Sequence, residues 1–82
     1  MDTTDAPSIS FIFGEVLRDK RLALKISQEE LAFRAGVDRT FVSRIERGLR
    51  QPTITSLIAL SSALGISATK LIKATEQRIK AK

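Results

Sequence analysis

Residues 27–48 read "SQEELAFRAGVDRTFVSRIERG", and the fold turns on the glycine at position 36. Before it, Leu31 and Ala35 lie four residues apart. After it, Val42 and Ile45 lie three apart, with Val37 in between. Each pair therefore lines one face of a helix. Gly36 breaks what would otherwise be one continuous helix. It supplies a positive φ that a residue with a Cβ reaches only at about 1 kcal/mol or more. Ser27 followed by Glu30 announces the first of these helices as a capping box: the serine oxygen accepts from the Glu30 amide, and Glu30 reaches back. That helix is expected to run to about Arg34. Asp38 is a good N-cap for the second, which ends before Gly48.

Outward from this stretch the chain is helical throughout, with apolar residues at three- and four-residue spacing. Residues 1–7 are polar, end in Pro7 and are expected to be flexible, leaving residues 8–82 as a single domain. Ser8 or Ser10 is expected to cap a first helix reaching about Ala23. Phe13, Val16, Leu17 and Leu24 form its buried stripe, and Phe11 and Ile12 widen the apolar surface. After a basic loop, "RGLRQP", Thr53 or Thr55 caps a fourth helix ending at Gly65. Ser67 caps a fifth that continues towards Lys80. The expectation is an all-α domain of five short helices with no interior linker.

Composition narrows the function. The 82 residues include no cysteine and no histidine. Disulfides, thiolate zinc sites, the usual general base and the commonest metal ligand are absent together. No enzyme, no metal and no cofactor are therefore expected. No apolar run approaches membrane-spanning length, and the acidic start "MDTTDAPS" is unlike an export signal. The expected location is the cytoplasm. A net charge of +5 favours a polyanionic partner.

Two helices joined by a tight glycine turn, with Ala32 where the backbones come closest, form the helix-turn-helix pattern. The wording is specific. "SQEELAFRAG" as supporting helix and turn, "VDRTFVSRIERG" as recognition helix and "PTITSLIALSSALGIS" as fourth helix and exit resemble the phage repressor and Cro-type family, also called the xenobiotic-response-element family. The likeness spans roughly residues 13–71. Within that family, "DRTFVSRIERGLRQPT" looks most like the small controller proteins of restriction–modification systems. The resemblance implies a bacterial or phage-encoded regulator that binds double-stranded DNA. It puts Asp38 to Arg44 at the major groove.

With Val42 and Ile45 inward, the outer face of the third helix presents Arg39, Thr40, Ser43 and Arg44 as base readers. Arg39, near the helix start, is the first choice for a bidentate contact to guanine, worth roughly 1–3 kcal/mol of discrimination. Arg44 is either a second reader or a phosphate clamp. Phe41 either packs inward or covers the groove wall beside the phosphates. Gln28, in the first turn of its helix, matches a family glutamine that grips phosphate. Arg47, Arg50 and Gln51 follow the recognition helix and are expected on the backbone as well. Arg21 and Glu46 match a family ion pair that joins the first helix to the end of the third. One departure stands out: the family often has glycine two residues before Ser27, where this chain has Lys25.

The fourth helix is too apolar for one core face. A two-fold homodimer through Ile54, Leu57, Ile58, Leu71 and Ile72 is expected to cover the excess. Such a dimer demands a palindromic operator, and acts by blocking RNA polymerase or by touching it. No small-molecule ligand is expected. Two other functions fit the chain: an antitoxin that binds its own promoter and a toxin, or a helical protein–protein adaptor.

Overall fold

The computed structural model describes residues 5–81. Its helices are α1 (Ala6–Ala23), α2 (Gln28–Ala35), α3 (Arg39–Glu46), α4 (Ile54–Ala63) and α5 (Ala68–Ala81). Among the described residues there is no strand, so the all-α, five-helix expectation stands.

The helix starts follow from capping. Ser27 Oγ accepts from Glu30 N at 2.9 Å. Thr53 and Ser56 form a reciprocal capping box at the head of α4, and Ser67 Oγ accepts from Lys70 N at 3.1 Å. Two expectations are corrected. The first helix begins before Ser8, because Asp5 is its N-cap and accepts from Ser8 N at 2.8 Å. Pro7 falls in the first turn, where its missing N–H leaves nothing unsatisfied. Residues 5–7 thus belong to a capped helix, and residues 1–4 of the segment expected to be flexible lie outside the described residues. The Ser27–Glu30 box is also only half made: the Glu30 carboxylate turns instead to Arg34 Nε, 2.8 Å away and one helical turn on.

The ends of α1 to α4 share one closure. At Gly36, Gly36 N donates to Phe33 O and Val37 N to Ala32 O, at 3.2 and 3.0 Å, with φ +71° at the glycine. The same pair of bonds recurs at Gly48 and Gly65. It recurs at Lys25 too, where φ is +58°. This is the Schellman motif, which wants a left-handed residue one step beyond the helix. Lys25 holds that position without glycine's freedom, at a cost of about 1 kcal/mol. The chain turns there, and Leu24, expected in the buried stripe, is left largely exposed.

The core is built from Phe13, Val16 and Leu17 of α1, Leu31 and Ala32 of α2, Val42 and Ile45 of α3, Leu60 of α4 with the adjoining Leu64, and Leu71 of α5. Helix α1 packs on α3 and α5, and α2 on α3 and α4. An added Cβ on Gly14 would run into the carbonyl oxygens of Ile45 and Glu46, which admits only glycine where α1 crosses the end of α3. Asp19 Oδ2 accepts from Arg78 Nη2 at 2.9 Å and ties α5 to α1. No single helix among the described residues is long and apolar enough to cross a membrane, and the one helix pair with that composition, α4 with α5, is bent by 99°.

Candidate nucleic-acid interface

The inner face of α3 is settled by burial: Val42, Ile45 and Glu46 are inside. The outer face follows from the same helical phase. Arg39, Thr40 and Arg44 are exposed and Ser43 is half-buried. Asp38 caps the helix through its backbone: its carbonyl accepts from Phe41 N at 3.0 Å and Val42 N at 3.3 Å, and its side chain makes no cap bond.

The arginines divide into two groups. Arg21, Arg34 and Arg78 each hold a carboxylate. Among the described residues Arg18, Arg39, Arg44, Arg47 and Arg50 hold none. Four of these five lie on α3 or in the stretch that follows it, and the fifth, Arg18, lies on α1. Arg50 reaches back over the ring of Phe41, with its guanidinium carbon 5.2 Å from the ring centroid, a cation–π distance. Phe41 therefore has two faces in use. It packs against the core on one side and carries the Arg50 cation on the other. Arg47 Nε donates weakly to Ser43 O at 3.4 Å, so its side chain lies along α3. An open groove runs between Thr40, Phe41 and Arg44 on one bank and Arg50, Thr53 and Ser56 on the other. The sequence marks Thr53 only as a helix cap and gives Ser56 no role. Their place on the groove depends on how α4 docks, which local pattern does not report.

Gln51 is exposed. Gln28 is half-buried, and its Nε2 donates to Glu46 Oε1 at 3.0 Å. The Arg21–Glu46 pair expected from the resemblance is present and doubly bonded: Arg21 Nε to Oε2 at 2.6 Å and Nη2 to Oε1 at 2.9 Å. Arg21 Nη1 also donates to the Ile26 carbonyl at 2.9 Å, which ties the left-handed turn into the same node. The bond to Glu46 raises the Arg21 pKa, burial opposes it, and the Glu46 charge adds to the rise.

The expected dimer face is only partly available. Ile54, Ile58 and Ile72 are 73%, 55% and 39% exposed. Leu71 is fully buried in the core of the single chain, and Leu57 is half-buried against that core. Leu71 therefore cannot meet a partner: the α5 phase turns it inward and Ile72 outward. Phe33 and Leu49 are also strongly exposed, and the sequence reading had assigned them nothing. Among the described residues no cluster of acidic side chains could hold a metal ion.

A short helix–turn–helix with unpaired arginines on its outer helix defines a DNA-binding protein. The helix-turn-helix family model matches residues 17–71. The chain is 38% identical to the control protein C.BamHI of Bacillus amyloliquefaciens over 69 residues, which cover 83% of this chain and 85% of that protein. Among solved structures it is similar to the restriction-modification controller protein C.AhdI from Aeromonas hydrophila, with 40% identity, a TM-score of 0.74, and 76% of this chain and 94% of that one covered. It is also similar to the controller protein C.Esp1396I, solved as a tetramer on its natural 35 base-pair operator, with 31% identity, a TM-score of 0.79, and coverage of 87% and 93%. The chain belongs to the helix-turn-helix family, among its small transcription regulators of the restriction–modification controller type.

Proposed function

We propose that this chain is a sequence-specific operator-binding regulator that acts as a homodimer. Each subunit lays α3 in a major groove, with Arg39, Thr40, Ser43 and Arg44 towards the base edges. Arg47, Arg50, Gln51 and Gln28 face the phosphates on either side, with Phe41 backing Arg50. The observation that carries this reading is that four of the five carboxylate-free arginines group on and just after α3. Guanidinium groups without carboxylate partners, gathered on one helix and the loop after it, repel one another, and a polyanion relieves that repulsion. Kinship with controller proteins supports a restriction–modification system as the regulated locus, in a bacterial cytoplasm.

Ile54, Ile58 and Ile72 are the apolar side chains left for a two-fold contact. A dimer through them implies a palindromic operator with half-sites about 34 Å apart. A bound dimer acts on transcription by excluding RNA polymerase or by contacting it. The test is a duplex selected by the wild-type chain from a randomised library, followed by footprinting. A symmetric footprint, and binding that weakens by roughly 10³-fold or more between 50 and 200 mM salt, is the expected result. Equal affinity for every duplex would defeat the operator reading.

A further inference from the structure

Glu46 does more than answer Arg21. It is the last residue of α3 and is buried. Its Oε1 accepts from Arg21 Nη2 at 2.9 Å and from Gln28 Nε2 at 3.0 Å, while Oε2 takes Arg21 Nε. Gln28 is the first residue of α2. One carboxylate thus joins the head of the supporting helix to the tail of the reading helix.

An ionised carboxylate only accepts hydrogen bonds, whereas a glutamine amide offers two N–H donors on one atom and an acceptor on the other. Facing Glu46, the Gln28 amide must present its NH₂ end. One N–H is taken up, and the second, on the same nitrogen, remains to be directed elsewhere. A free amide reverses easily and exposes its oxygen half of the time, which a phosphate would reject. The doubly bonded Arg21 matters here as well. It balances the Glu46 charge, so the carboxylate can orient Gln28 without repelling an approaching phosphate.

We infer that Glu46 is a positioning residue for DNA-backbone recognition: it holds the Gln28 amide with a donor, not the oxygen, towards the phosphate, in fixed register with α3. This rests on the reading of Gln28 as a phosphate contact. Glu46 itself touches no DNA.

The test is a double-mutant cycle on operator affinity, with the duplex selected by the wild-type chain as probe. Gln28→Ala is measured in the native background and in Arg21→Met/Glu46→Leu, where the pair is removed together and no charge is left buried alone. The expected loss on Gln28→Ala is about tenfold in the native background and less than about twofold without the pair. A tenfold loss in both backgrounds overturns the inference and leaves the phosphate contact standing. No loss in the native background overturns both. If thermal melting shows the paired replacement to be unfolded, Glu46→Gln takes its place. That variant keeps an acceptor for Arg21 but also offers an NH₂ to Gln28. The ¹H–¹⁵N signals of the Gln28 side-chain amide should then move towards those of a solvated glutamine. Signals identical to wild type overturn the inference.

Discussion

An arginine that already grips a carboxylate has committed its fork, and four of the five arginines that hold none lie on or just after α3. Arg21 is the structural extreme, buried with two bonds to Glu46 and one to the Ile26 carbonyl. Arg21→Met alone leaves Glu46 charged and buried, and a loss of about 3–5 kcal/mol is expected in urea unfolding. The Arg21 pKa is raised on folding, chiefly by its bond to Glu46. Its contribution is therefore fully present below the ordinary arginine value and fades only as pH rises through the still higher folded one. Between pH 7 and 9 the unfolding midpoint should not move through this group. In the proposed reading Arg47 is the functional counterpart. It lies along α3 and holds no carboxylate. Arg47→Ala should weaken all duplexes alike and lower the salt slope by about one, measured by titration at several salt concentrations.

At the scale of the element, helix ends explain why so much of the architecture could be read in advance. Gly36, Gly48 and Gly65 each sit where the sequence reading stopped a helix, and each closes the same way. Lys25 was visible as the departure, and it takes the left-handed role all the same. Lys25→Gly should raise stability by up to about 1 kcal/mol, seen as a melting temperature roughly 4–8 °C higher. A lower melting temperature would mean that the lysine side chain contributes more than the turn loses. Other features were not legible, for physical reasons. Asp5 is hidden in the sequence because it lies in a polar segment ending in Pro7, and that proline belongs to a first turn. Gly14 had no sequence mark, since only the docked α3 makes its missing Cβ matter. Gly14→Ala should lower stability by several kcal/mol or push α1 off α3. Leu71 and Ile72 were both placed at a partner face because adjacent apolar residues do not declare the phase of their helix; packing buries the first and exposes the second. The outer face of α3 is clearer, because Val42 and Ile45 fix its phase from within.

For the whole molecule, the single chain satisfies its own core yet leaves Ile54, Ile58 and Ile72 in water. Ile58→Asp should therefore leave the fold intact by circular dichroism and shift sedimentation towards the monomer, with operator affinity falling in step. An unchanged sedimentation profile would move the dimer contact elsewhere, and strongly exposed Phe33 and Leu49 would be the next candidates. The central claim is that α3 reads bases through Arg39. Its most direct test is the affinity of wild type and Arg39→Ala for every single-base variant of the selected duplex. One symmetric position in each half-site should lose roughly 1–3 kcal/mol of discrimination in the variant, with the other positions unchanged. Identical preference profiles for the two proteins would contradict the account.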